Sequence, residues 1–141
     1  MVVAGKGNFN KTEISKYIKE NGLEKDVFFI QNLSFNDLPC IYKLAEVFIY
    51  PSFYEGFGIP IIEALHCGTP VICSDTSSMP EAGGDGAIYV NPANPESISE
   101  AIIKITSDSV LRSNLAKSGI EHIKKFDTKI LSGQIMNSYS D

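Results

Sequence analysis

At 141 residues and 15.4 kDa the chain has room for one domain, against ~150 residues per domain, and about two-thirds of its unfolded surface can be buried. Hydrophobic residues at 43%, charged residues at 21% and a mean hydropathy of +0.00 exclude disorder, collagen and coiled coil. No apolar run approaches the ~18 residues of a membrane span, and Met1–Asn10 has no apolar stretch of the ~7–15 residues a signal peptide needs, so neither is expected. Seventeen acids against twelve bases, a net charge of −5, argue against a nucleic-acid surface. Cys40, Cys67 and Cys73 form no C-x-x-C pair and read as buried free thiols in a reducing cytoplasm.

In chain order, Val2–Ala4 is the first short apolar cluster suited to a strand buried on both faces. Asn10 with Glu13 forms a cap-like pair, and Ile14, Tyr17 and Ile18 then line one face of a helix that Gly22 stops. Val27–Ile30 predicts a second strand. Leu38, Ile41, Tyr42 and Ala45 mark a second helix, with Pro39 tolerated in its first turn. Val47–Tyr50 is a third strand, Pro60 opens a third helix that Gly68 ends, and Val71–Cys73 and Ala87–Val90 are the fourth and fifth strands. Strand–helix alternation over about ninety residues implies a parallel α/β sheet. Beyond Val90, Asn94-Pro95 opens a helix carrying Ile98, Ala101, Ile102 and Ile105, and Asp108 and Asp127 are suited to cap two more. The expected organisation is one domain over 1–141, with an α/β core over about 1–107 and C-terminal helices over about 108–141.

Between Pro51 and Pro95 lie twelve of the eighteen Gly and Pro residues, so turns there are tightly specified. From Leu44 to Ile103 there is no Lys or Arg, while there are eight acids. A phosphate bound in this half must rely on backbone amides or on cations brought from elsewhere. Within it, Val47 to Asp75 reads as strand, glycine loop, helix, glycine stop, strand. Gly56 and Gly58 let the backbone approach a ligand closely, and the following helix points its free N–H groups and positive dipole end at the loop. Such a loop lies at the carboxyl end of a strand, where open α/β sheets bind ligands. A carboxylate at Glu63 stands ~4–6 Å beyond that anion site at 1.5 Å per residue, a reach suited to ribose hydroxyls. The spacing alone also allows Gly56 and Gly58 to be turn residues and Glu55 and Glu63 to be solvated.

The string Glu55-Gly-Phe-Gly-Ile-Pro-Ile-Ile-Glu63 resembles the E-x7-E signature of retaining group 1 (family four) glycosyltransferases of the GT-B class. The resemblance continues through Ala64 to Ile72, Ser74-Asp75, Met79-Pro80-Glu81, Gly86-Ala87 and Asn91-Pro92, and upstream through Val3–Gly7, Val27–Ile30 and Leu44–Pro51. It covers roughly Val2 to Ile105. It implies the carboxyl-terminal, donor-binding half of such an enzyme: a Rossmann-like parallel sheet of about five strands flanked by helices, with a helical C-terminal segment. Glu55 would touch the donor sugar near its 3-hydroxyl, Glu63 would bind the ribose, and the backbone of Gly56, Phe57, Gly58 and Ile59 would face the diphosphate or sugar. Gln31-Asn32-Leu33 would contact the base, although a glycine is usual where Gln31 stands. The donor would be a UDP- or GDP-linked hexose, no metal or other cofactor is expected, and the transfer, with retention, would be to a glycan, lipid or other acceptor.

The departures shape the expectation. In the family an Arg and a Lys that clamp the diphosphate precede the strand matching Val2–Ala4, and the chain begins at that strand. The first βα unit, both bases and the acceptor domain are therefore expected to be missing, and the chain alone to be inactive. Lys6 is a nearby base that reads better as a solvated turn residue. His66 falls where the family has a small residue and reads as packed; neither it nor His122 matches the family's histidine. Tyr50, Phe53, Tyr54 and Phe57 read as packing under the loop, and Lys124 and Lys125 as favouring a helix dipole. Gly5-Lys6-Gly7 lacks the third glycine of a nicotinamide site, and Ser52, Ser74 and Thr76–Ser78 lack an aligned His and acid for hydrolysis. Two other classes stay open: a non-catalytic nucleotide- or sugar-binding module acting as a regulatory or partner subunit, and a phosphate-binding domain without sugar chemistry. The expected setting is cytoplasmic, with the inner membrane surface open to the parent protein, and the exposed edge left by a missing first strand gives a route to a homodimer.

Overall fold

Each apolar cluster of the sequence forms a strand, and every strand pairing is parallel. The structure is a computed structural model and describes residues 1–5, 12–127, 130 and 132. Two compact units divide the chain, Met1–Leu38 and Pro39–Asp141. The five expected strands form a parallel pair in the first unit and a parallel triplet in the second. The connection between the sets, α2 (Leu38–Leu44), starts at the last residue of the first unit.

In the first unit β1 (Val2–Ala4) pairs with β2 (Phe28–Ile30), with Val3 opposite Phe29. The Phe28 N–H donates to the Met1 carbonyl at 2.9 Å and the Gly5 N–H to the Ile30 carbonyl at 3.2 Å, extending the ladder by a bond at each end. Helix α1 (Glu13–Glu20) is capped by Thr12, whose extended backbone suits a cap and whose hydroxyl oxygen accepts from the Ser15 N–H at 3.4 Å. The cap expected at Asn10 lies outside the described residues. Of the three apolar residues expected on one face, only Ile18 is buried, while Ile14 and Tyr17 are exposed. Within its unit a two-stranded ladder of three residues a side is too small to cover a whole helical face.

In the second unit β3 (Phe48–Tyr50), β4 (Val71–Ser74) and β5 (Ala87–Val90) lie in that order, with Ile72 opposite both Ile49 and Ile88. The central β4 is buried along its length, as its uninterrupted apolar run requires. Alternation splits its side chains between two layers. Ile72 and Val90 pack with Ala101 and Ile105 of α5 (Pro95–Ser107), joined by Ile98 and Ile102. Val71 and Cys73 face the opposite layer, α3 (Ile59–His66) and α4 (Met79–Gly83), which buries Ile61, Ala64, Leu65, Met79 and Ala82. A Cβ added to Gly83 would stand 2.8 Å from Ala87 Cβ and 3.5 Å from Cys73 Sγ. Helix α4 and the 3-10 turn Gly84–Gly86 that follows it were not expected from the sequence.

The C-terminal caps are as the sequence predicts. Asn94 Oδ1 accepts from the N–H groups of Glu96 and Ser97 at 3.0 and 3.3 Å, opening α5. Asp108 Oδ1 accepts from Val110 and Leu111 at 3.0 and 2.9 Å, opening α6 (Ser109–His122). A 3-10 turn, Ile123–Phe126, ends at Asp127, and the helix that Asp127 was expected to cap lies outside the described residues.

Two burial expectations are corrected. Only Cys73 is buried, its thiol pushed up to about 12 by desolvation, while Cys67 is half-buried and Cys40 is exposed. Cys40 stands two residues from buried Tyr42, about 200° around α2, so it faces away from that contact. His66 is likewise exposed, one residue past the buried pair Ala64 and Leu65. Among the described residues no helix is long and apolar enough to cross a membrane.

Candidate functional site

The segment Pro51–Gly58 leaves the carboxyl end of β3 and feeds directly into α3. Gly58 is the N-cap in left-handed backbone, φ 83 and ψ 42, a conformation that a residue with a Cβ adopts only under strain. No side chain caps the helix. Pro60 has no N–H, and the Ile61 N–H already donates to the Gly58 carbonyl at 2.9 Å. The N–H groups that this turn offers a ligand are therefore those of Gly58 and Ile59, fewer than a helix start without proline would present. Gly56 differs from its neighbour: its φ is not positive, and an added Cβ would meet nothing within 4 Å.

A second segment, the hydroxyl run after β4, holds the loop in shape. Ser74 donates to the Ser52 carbonyl, Thr76 to the Phe53 carbonyl at 3.3 Å, and Ser77 and Ser78 both donate to the Glu55 carbonyl at 2.9 and 3.2 Å. Ser77 itself has φ 56. The hydroxyls thus have a structural use that the sequence did not disclose: they satisfy loop carbonyls that helix and sheet cannot reach.

Both glutamates are half-buried, and each is held through one oxygen. Glu55 Oε1 accepts from the Tyr50 hydroxyl at 2.6 Å and from the Ser52 hydroxyl at 3.1 Å. Glu63 Oε2 accepts from the Tyr42 hydroxyl at 3.0 Å. The second oxygen of each carboxylate accepts no hydrogen bond among the described residues. Burial and then the bond to Glu55 push Tyr50 up to about 12, and burial followed by the bond to Glu63 pushes Tyr42 further up. Both phenols are therefore donors throughout the neutral range. Sequence reasoning missed both pairings; the tyrosines are visible, but their partners lie 5 and 21 residues away on different elements.

The rim of the loop departs from expectation. Phe53 is 68% and Tyr54 80% exposed, so neither packs beneath the loop. Phe57 instead meets Phe126 edge-on, with ring centroids 5.3 Å apart. The turn that carries Phe126 brings bases to a region poor in them. Lys125 Nζ lies 4.8 Å from the Phe126 ring centroid and donates to the Glu81 carbonyl at 3.3 Å, and His122 Nε2 is 2.9 Å from the same carbonyl. Lys125 thus bonds α4 rather than the end of its own helix, whereas Lys124 pairs with neighbouring Glu121.

Gln31, Asn32 and Leu33 follow β2 in the first unit, and it is Asn32, with φ 57, that takes left-handed backbone there. That unit also has a shallow groove of about 750 Å³ between α1 and β2, lined in part by Ile18, Lys19, Val27 and Phe29 and by none of the expected site residues. Lys6 and Gly7 lie outside the described residues. Among the described residues no group of three or more His, Cys, Asp or Glu is placed to hold a metal ion.

Parallel α/β layers with a glycine loop running into an uncapped helix start define a Rossmann-like ligand-binding architecture. The family model of glycosyl transferases group 1 matches residues 1–122, and the chain belongs to that family. It is 41% identical over 103 residues to the O-antigen chain mannosyltransferase B of Escherichia coli, covering 73% of this chain and 27% of that protein. The fold is also that of solved glycosyltransferase structures. The C-terminal domain of a group 1 family glycosyl transferase from Francisella tularensis aligns with TM-score 0.76 and 27% identity, over 88% of this chain and 67% of that one. The Anabaena protein HepE, crystallised with UDP, aligns with TM-score 0.86 and 22% identity, over 99% of this chain and 40% of that one. The chain spans between about a seventh and about a third of the length of the curated relatives it matches.

Proposed function

We propose that the chain is the donor-binding domain of a hexosyltransferase, both of its units included, and that the loop Glu55–Ile59 with Glu63 holds a nucleotide diphosphate sugar. The observation that carries this reading is the pair of glutamates flanking the Gly58 turn, each clamped by a tyrosine through one oxygen while the other accepts no hydrogen bond among the described residues. Glu63, one turn into α3, accepts from the ribose hydroxyls; Glu55, in the loop, accepts from a hydroxyl of the sugar. Between them the N–H groups of Gly58 and Ile59 face the diphosphate, where negative charge builds as the glycosidic bond breaks. The donor is a hexose linked to UDP or GDP: the Anabaena neighbour was crystallised with UDP, and the Escherichia coli relative is a mannosyltransferase.

Charge decides what the chain does by itself. Two N–H groups, a stretch without Lys or Arg from Leu44 to Ile103, and a Lys125 that already donates to the Glu81 carbonyl leave a diphosphate under-neutralised. The chain therefore holds a donor better than it turns one over, and transfer with retention to a glycan or lipid acceptor needs a further domain on the cytoplasmic side. This same observation favours, for the chain in isolation, a nucleotide-sugar-binding module without turnover.

A thermal-shift titration with UDP, GDP, ADP and their hexose conjugates, on wild type and Glu63→Ala, tests the reading. Ligand at 100 times its Kd adds ~2.7 kcal/mol, several degrees for a chain of this size. The expected result is a shift for one base that Glu63→Ala abolishes. Equal shifts for every diphosphate, unaffected by the substitution, would leave a bare phosphate site and overturn it.

A further inference from the structure

The two tyrosines that clamp the glutamates belong to one row of rings. Phe48 and Tyr50 are two residues apart on β3, so their side chains leave the same face of the strand. Their rings stack with centroids 5.8 Å apart and planes 22° apart. Tyr42, arriving from α2, meets Phe48 edge-on at 5.1 Å and 88°. The row thus runs Tyr42, Phe48, Tyr50, and each end carries a hydroxyl bonded to a different glutamate. Tyr42 is 8% exposed, and its own carbonyl accepts from the buried Thr69 hydroxyl at 2.6 Å, which ties α2 to the approach of β4. Ser52 adds a second donor to the Glu55 oxygen that Tyr50 holds.

A glutamate in a loop or on a helix face has three rotatable side-chain bonds and no reason of its own to point at a ligand. Here one oxygen of each is fixed by a ring that itself cannot tilt without disturbing its neighbour. Because both rings rest on Phe48, the aromatic row couples the two clamped oxygens to each other, with the Ser52 hydroxyl as a further hold on that of Glu55. A nucleotide sugar has fixed spans between its ribose and its hexose once extended, so a site that must reach both ends gains from a rigid separation.

We propose that Tyr42 and Tyr50, spaced by Phe48, are positioning residues that set the two glutamates of the donor site at a fixed separation, Tyr42 acting on the ribose end and Tyr50 on the hexose end. The proposal rests on the assignment of Glu63 and Glu55 to a nucleotide sugar, and it adds a division of labour that this assignment does not contain.

Isothermal titration of wild type, Tyr42→Phe, Tyr50→Phe and Glu63→Gln with UDP, UDP-glucose, GDP and GDP-mannose tests it. Both phenylalanine variants keep their rings, so the row stays packed and only the hydroxyl clamp is lost. Tyr42→Phe is expected to weaken the diphosphate and its hexose conjugate alike, about 5–10-fold, the loss of one charge-assisted hydrogen bond felt indirectly. Tyr50→Phe is expected to leave the diphosphates within about twofold and to remove about 5–10-fold of the extra affinity contributed by the hexose. That crossed pattern supports the proposal. Equal losses for all probes in both variants, tracking a lowered melting temperature, would mean the tyrosines are merely structural and would overturn it. If Glu63→Gln weakens the diphosphates while Tyr42→Phe does not, the donor assignment stands and the positioning role falls alone. If Glu63→Gln changes nothing, or wild type binds no probe at millimolar concentration, the assignment fails and the proposal falls with it.

Discussion

Two kinds of glycine contrast among the described residues of the second unit. At the joint between α6 and the 3-10 turn, a Cβ on Gly86 would stand 2.4 Å from the Gly119 Cα, one on Gly119 would stand 2.6 Å from Leu65 Cδ2, and one on Gly84 would stand 2.0 Å from His122 Nδ1. In the loop before α3, a Cβ on Gly56 would meet nothing within 4 Å. Glycine at the joint is explained by what the protein packs there; no ligand need be invoked. At Gly56 neither packing nor a positive φ requires glycine, so its absent side chain leaves space for something outside the chain. Gly58 lies between the two cases, with φ 83 and Ile61 Cδ1 3.1 Å from an added Cβ.

This contrast can be broken most forcefully at the joint. Gly86→Ala is expected to cost about 1–3 kcal/mol, because its contact is backbone and cannot swing aside. Melting should fall by several degrees, and an unchanged melting temperature would mean that α6 is not seated on the turn. Gly58→Ala should cost about 1–2 kcal/mol from its left-handed backbone. It should also weaken nucleotide binding, since it distorts the turn that presents the Gly58 and Ile59 N–H groups; calorimetry and melting together read both. Asp108→Ala removes the cap of α6 and should cost about 1 kcal/mol with no change in ligand affinity, which separates the joint from the loop.

The smallest effect concerns the loop's clamp. Folding raises Tyr50 from 10.0 to about 12, so the folded chain holds its proton where the unfolded chain has lost it. Its contribution is complete below pH 10 and is lost as pH rises toward 12. A melting series over that window should fall less steeply in Tyr50→Phe than in wild type.

Much of the second unit was legible from the sequence, for reasons that can be stated residue by residue. Val71–Cys73 is a continuous apolar run because β4 is covered on both faces, and Asn94 and Asp108 announce their helices because a capping side chain acts within three residues of itself. Local signals fail where the partner is distant. Helix α4 has five residues, with Pro80 inside and Gly83 at its end, too short for periodicity to register. Glu55 and Glu63 were legible as a pair by resemblance, but that each is held by a tyrosine depends on α2 and β3 meeting beneath the loop. Phe53 and Tyr54 were expected to pack because aromatic residues usually do, and nothing in their neighbours' identities reveals that the loop turns them outward. Lys125 reaches Glu81 across 44 residues, a juxtaposition that only the seating of α6 creates.

The most direct test of the donor-site reading is a paired measurement on Gly56→Ala: melting temperature without ligand, and affinity for UDP and GDP by calorimetry. With open space around it and no positive φ, the added methyl should leave stability unchanged or raise it by about 0.4–1 kcal/mol through the unfolded chain. Affinity for the nucleotide that wild type binds should fall at least tenfold, because the methyl enters the space the diphosphate needs. Stability unchanged with affinity lost is the predicted result. Affinity equal to that of wild type would contradict the account, since a glycine that neither packing nor a positive φ explains would then have no ligand to explain it either.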